Sequence, residues 1–214
     1  MIDIKKVDKY ISSFPMGSKV KVCDEYIANL KKIKEPISYN KELLLKSPWL
    51  QRAFFFVNLS LIKNFDERLL YIDKYKEVFT SWGSTDQIIK FVNKSTPSLM
   101  IEYATSYVYS NEVFTRRWGY VMFIFHKERD NKEFCRDILS LIKSDDELTI
   151  QMAEGWLLCE LAIFNSDIVY DFLERSDVCY KVKSWAISKI QDSYRISDEI
   201  KAKFKKLRNE CRRQ

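Results

Sequence analysis

Apolar residues recur at helical spacing along almost the whole chain. The clearest run follows Pro48: Trp49, Ala53, Phe56, Val57, Ser60 and Leu61 keep an i, i+4, i+7, i+8 pattern. Pro48 suits the first helical position, where a missing N–H costs nothing, and Ser47 is then placed to cap the helix. The same spacing predicts further helices over residues 3–13, 18–33, 66–79, 84–93, 98–108, 112–127, 131–143, 147–164, 167–175, 179–191 and 197–212. Asp66, Asp145 or Asp146, Ser166 and Ser197 stand where N-terminal caps are expected. No segment alternates with period two for long. Residues 54–56 and 121–125 have the composition of short buried strands, but the patterns around them have helix length. The expected fold class is all-α.

The glycines carry a longer period. Gly83, Gly119 and Gly155 lie 36 residues apart; Trp82 and Trp118 share that spacing, and Trp156 follows 38 later. About a dozen helices make about six antiparallel pairs, close to the ~40-residue period of HEAT-like units. Stacked pairs of this kind build an α-solenoid with a concave face. No linker or low-complexity stretch interrupts the pattern, so residues 1–214 read as a single domain.

Composition narrows the function classes. Gly and Pro together number eight of 214 residues, against a usual ~12%. Few tight turns follow, which disfavours many-stranded sandwiches and barrels. No GxxxxGK[ST] or GxGxxG occurs, so nucleotide-cradling loops are not expected. His126 is the only histidine, which argues against His-rich metal sites and a Ser-His-Asp triad. Cys23, Cys135, Cys159, Cys179 and Cys211 are odd in number and never form CxxC, a usage that fits reduced thiols and a cytoplasmic setting. The opening MIDIKKVDKY has no apolar stretch of signal-peptide type. The longest apolar runs, residues 54–57 and 118–125, fall far short of the ~20 residues that span a bilayer. No metal, cofactor or membrane partner is expected.

The net charge of +6 is unevenly spread. Residues 201–213 hold seven basic side chains and one acid, Glu210, and the rest of the chain balances. Such a tail is either a last helix favoured by its macrodipole or a contact for a polyanion such as DNA.

Three stretches can carry chemistry. In the first, a helix starting near Ser81 sets Trp82 and Asp86 at i and i+4 on one face. An indole can shield a carboxylate from water and stack on a planar cation, while the carboxylate stabilises positive charge or orients a water. The ordinary alternative is a core tryptophan beside an acid favoured by the first helical turn. In the second, Arg116 and Arg117 enter an otherwise apolar helix. Arg117 can hold a phosphate bidentately, with Arg116 as an additional phosphate contact, or both can tie one repeat to the next. In the third, Gly155 permits close helix approach, with Trp156 beside it either exposed or in the core. Glu154 and Glu160 nearby are solvated or paired.

Together, Ser81-Trp82-x-x-x-Asp86, Phe114-x-x-Arg117 and Ile150-Gln151-x-Ala153-x-Gly155-Trp156 resemble the DNA alkylation repair family, the AlkD-like glycosylases built from HEAT-like repeats. Their order and separations agree over about residues 48–195. The resemblance implies hydrolysis of the N-glycosidic bond of positively charged alkylated purines, such as 3-methyladenine and 7-methylguanine, in duplex DNA. It implies a monomer without cofactor. Asp86 would be the catalytic carboxylate, Trp82 and Trp156 would pack against the lesion's nucleotide and its backbone, and Arg117 would bind a phosphate. The chain departs from the family where Gly83 and Ser84 replace a second tryptophan and an acid, and where Cys159 replaces a basic residue. The alternative is a non-catalytic repeat module binding DNA or a protein through its concave face.

Overall fold

A computed structural model of the chain describes residues 1–14, 19–174 and 177–211. The predicted helical positions 18, 175 and 212, and Arg213 of the basic tail, lie outside them. Every regular element among the described residues is helical, apart from one isolated bridge between Ile2 and Ile37. Residues 54–56 and 121–124 are helix, as the flanking periodicity requires. No described helix is long and apolar enough to cross a membrane. The chain divides into two compact units, Met1–Leu99 and Met100–Gln214.

The first unit holds α1 (Ile4–Ser12), α2 (Lys19–Ile33), α3 (Lys41–Lys46), α4 (Pro48–Leu61), α5 (Phe65–Tyr75) and the single turn α6 (Trp82–Thr85), with 3-10 turns at Lys76–Val78 and Ile88–Phe91. Its centre is α4, which packs on α1, α2, α3, α5 and α6. All ten residues from Leu50 to Leu59 are buried, so the helix is apolar on most of its circumference. Its three buried polar residues are all bonded. Gln51 donates to Leu44 O and Thr80 Oγ1, both at 2.7 Å. Arg52 donates to Asp24, and Asn58 bonds both backbone groups of Ile37 and Tyr71 Oη.

The caps show how far local signals reach. Ser47 Oγ accepts from Leu50 N–H at 3.2 Å, as its position predicts. Ser47→Ala is expected to cost about 1 kcal/mol, which thermal unfolding reads as a Tm lower by about 2–4 °C. Ser197 Oγ accepts from Ile200 N–H ahead of α12. Asp66 is not a cap. Asn64, two residues earlier, bonds the N–H groups of Asp66 and Glu67, and the Asp66 carboxylate accepts from Thr96 N–H and Oγ1 instead. Those bonds hold the Asp66 carboxyl below its ordinary pKa.

The second unit takes most of α7 (Pro97–Val108), then α8 (Val113–Ile124), α9 (Lys132–Leu139), α10 (Leu148–Glu174), α11 (Tyr180–Asp192) and α12 (Asp198–Cys211). Here α10 packs on α8, α9 and α11, and α11 on α12, the neighbour-on-neighbour packing of an α-solenoid. The two helices predicted over 147–164 and 167–175 join into α10, broken only at Asn165 (φ −133°, ψ 50°). Asn165 Nδ2 donates to Arg129 O at 2.9 Å. Two of the periodic glycines are crossing points. A Cβ on Gly119 would lie 2.8 Å from Ala104 O, and one on Gly155 would lie 2.5 Å from Trp185 Cβ. Gly83 has open space, with Ser81 Oγ at 3.8 Å as its nearest neighbour.

Candidate active site

Ser81 opens the turn that carries Trp82 and Asp86. Its extended backbone and side-chain oxygen make it an N-cap, and it shares a capping box with Ser84. Asp86 N–H then donates to Trp82 O at 2.8 Å. This bond closes one α-turn and sets the two residues at the i, i+4 positions that the sequence spacing requires. The helix predicted to run to residue 93 stops here and resumes as the 3-10 turn at 88–91. A hydroxyl accounts for the break: Ser84 Oγ donates to Ser81 O at 2.7 Å. Side chains that bond local carbonyls compete with the helical ladder.

The result is an indole 45% exposed, next to a half-buried carboxylate whose Oδ1 accepts from Thr85 Oγ1 at 3.0 Å. A cavity of about 290 Å³ opens beside this turn, lined by Val20, Pro48, Trp49, Arg52, Ser81, Gly83 and Gln87. A carboxylate one turn from an exposed indole can stabilise a cation and orient a water.

Arg116, Arg117 and Trp156 belong to the second unit. Arg117 is only 4% exposed, and its Nη1 donates to Thr149 O at 2.7 Å. Arg116 pairs with Asp145, Nε to Oδ2 at 2.9 Å, and also donates to Ser110 O and Asn111 O. Both arginines thus tie α8 to the loop and first turn of α10. This is the repeat-to-repeat tie that the sequence leaves open beside a phosphate contact.

Trp156 is partly exposed and packs edge-on against Phe125 at 5.8 Å. It lines a cleft of about 270 Å³ with Cys159, Glu160, Lys189, Asp192, Tyr194 and Arg195. Lys189 Nζ sits 5.6 Å from the indole centre, and Tyr194 is 93% exposed. Glu160 is paired with Arg195 and with Arg129. Glu154 is wholly buried, accepts from Tyr120 Oη and Lys143 N–H, and has its carboxyl pKa raised by burial.

The basic C-terminal helix is largely engaged by protein. Lys203 pairs with Asp167, Arg208 donates to Ser188 Oγ, and Lys201 and Lys206 pair with acids on their own helix. His126 is buried against Phe134, 4.7 Å between ring centres. Cys23, Cys135, Cys159 and Cys179 are free thiols. Among the described residues no group of three His, Cys, Asp or Glu side chains is placed to hold a metal.

The model of the family described as DNA alkylation repair enzyme matches residues 15–190. The chain belongs to this family. No curated protein and no solved structure matches it significantly. The family match begins well upstream of residue 48, so it includes α2 and α4 of the first unit as well as the three motif stretches. Beside Trp156 the structure gathers residues that the motifs do not contain. Lys189, Tyr194 and Arg195 come from α11 and the segment after it, about 35 residues downstream. No short-range pattern marks them. The one available signal was Gly155, which brings α11 against α10 and so brings Lys189 over the indole.

Proposed function

We propose that this protein is a DNA glycosylase that hydrolyses the N-glycosidic bond of positively charged alkylated purines, 3-methyladenine and 7-methylguanine, in duplex DNA. The observation that carries the reading is the turn at Trp82–Asp86, which sets a half-buried carboxylate and an exposed indole at i and i+4 in a member of a DNA alkylation repair family. An alkylated purine already bears a positive charge. When the bond from C1′ to the base nitrogen breaks, both electrons pass to the base, which leaves neutral and needs no strong general acid. Positive charge then develops on the sugar, where the Asp86 carboxylate stabilises it. Asp86 also orients the water that attacks C1′ and receives its proton. The Trp82 ring offers its face to the cationic base. In the second unit, Trp156, with Lys189 over its ring, is a further contact for the nucleotide or its backbone. Arg116 and Arg117 act as positioning residues that hold α8 to α10.

The test is release of 7-methylguanine and 3-methyladenine from methylated duplex DNA by the wild type and by Asp86→Asn. Release by the wild type alone supports the reading, and equal release by both would sink the mechanism. A second reading, a non-catalytic repeat module that binds DNA or a protein, draws on the engagement of Arg116 and Arg117 by protein groups. Its signature is no release by either protein with binding retained in both.

A further inference from the structure

The first unit gathers cations at a place that the Trp82–Asp86 reading leaves unused. Arg52 lies in the middle of α4 and is 7% exposed. Asp24 accepts from its Nε at 2.9 Å and its Nη2 at 2.7 Å. The guanidinium carbon stands 4.5 Å from the centre of the Phe56 ring, one helical turn further on. Lys90, from the 3-10 turn at 88–91, brings Nζ to 4.0 Å from the same ring, and Lys31, near the end of α2, to 5.6 Å. Both lysine nitrogens also lie 5.5 Å from the centre of Phe91. Three segments distant in sequence thus converge three cations on one buried ring. Among the described residues, Asp24 is the one acid paired with the group, through Arg52. Neither lysine has a carboxylate within ion-pair distance there.

Covering an aromatic ring accounts for one such cation. A cation–π contact contributes about 0.5–1 kcal/mol at an exposed site, and each further like charge opposes the first. The opposition is visible at Lys90. Burial and then the charges of Arg52 and Lys31 lower the Lys90 pKa from the ordinary lysine value. Burial lowers that of Lys31, where Asp24 works against the shift by more than Arg52 adds to it. A bound anion would relieve this excess charge. Arg52 also lines the cavity of about 290 Å³ that Ser81 and Gly83 share, so the cluster borders the turn that bears Trp82.

We propose that Arg52, Lys31 and Lys90 form a phosphate-binding site that takes a phosphodiester of the nucleic-acid backbone. The site itself stands on the geometry of the cluster, and its assignment to DNA rests on the proposed function. Asp24 holds the Arg52 fork in place, while the two lysines, each half-buried or exposed, are free to close on the anion.

The test measures binding of an unmodified duplex as a function of salt, so it does not depend on excision. Lys31→Gln/Lys90→Gln is compared with wild type and with Lys5→Gln/Lys9→Gln, which makes the same charge change at exposed positions of α1. Arg52 is left intact because it is buried in the middle of α4, where its loss would disturb the core. Loss of this one phosphate contact is expected to reduce the slope of log K against log[salt] by about 0.9. The α1 variant is expected to keep the wild-type slope, and all three proteins the same Tm. Equal slopes in the two variants would overturn the site. If the wild type binds no duplex, the DNA assignment fails, and inorganic phosphate becomes the probe, read by Nζ resonances of Lys31 and Lys90 in NMR. Saturable shifts at both lysines would support a site for free phosphate, and their absence would overturn the site altogether.

Discussion

Asp86→Asn is expected to slow release of methylated purines by about 10²–10³-fold, the range typical of removing one preorganised electrostatic contact from a developing charge. The substitution isolates charge from shape. Asparagine keeps an oxygen that can accept from Thr85 Oγ1, now 3.0 Å from Oδ1. The backbone bond from residue 86 to Trp82 O, which closes the turn, involves no side chain. Folding and duplex binding are therefore expected to persist, with the Tm unchanged and the affinity for unmodified duplex within about twofold, a few tenths of a kcal/mol. The assay is single-turnover release from methylated duplex beside a melting curve. Loss of activity with loss of Tm would assign Asp86 a structural role in the turn instead. Trp82→Ala tests the same turn differently, because it removes an aromatic face and leaves the carboxylate. It is expected to weaken release without lowering it to background.

Gly155→Ala is expected to destabilise the protein by about 3 kcal/mol, at the upper end of overpacking costs, and to lower its Tm by roughly 6–12 °C. The added carbon would sit 2.5 Å from Trp185 Cβ, 2.9 Å from Ala186 N and 3.0 Å from Trp185 C. Two of these neighbours are backbone atoms, so no rotamer change relieves the clash, and α10 must move away from α11. That movement would also carry Lys189 off the Trp156 ring and open the cleft. Gly83→Ala provides the contrast. Its new carbon would meet only Ser81 Oγ at 3.8 Å, an ordinary contact. The same substitution at two glycines of one 36-residue period is thus expected to be strongly destabilising at one and near neutral at the other.

The glycines show where sequence reading succeeds and where it stops. Their spacing marks a period, and at Gly119 and Gly155 the period reflects helices crossing close enough to exclude a side chain. At Gly83 it reflects no such crossing, and nothing in the residue itself distinguishes the cases. The Trp82–Asp86 pair was legible because its geometry is local. One hydrogen-bonded turn places i beside i+4 whatever the surroundings. The break after Thr85 was not, because Ser84 is compatible with a helix until its hydroxyl finds a carbonyl of the preceding turn. Arg117 shows the opposite limit. Its sequence context allowed a phosphate or a neighbouring repeat as partner, and only packing against α10 assigned it to Thr149 O.

The sequence by itself determined the helical class, most helix positions, the Ser47 and Ser197 caps, and the interruption near Asn165. Each of these depends on residues within one or two turns, where periodicity and capping act. Membership in the DNA alkylation repair family was likewise legible in ordered short motifs. Tertiary structure alone decided which charges are paired and which are gathered. Glu160 meets Arg195 and Arg129, Arg116 meets Asp145, and Arg52, Lys31 and Lys90 share a single ring. Those partners are about 30 or more residues apart in most cases. Their meeting is set by which helix faces pack together, a property of the whole core rather than of any local pattern.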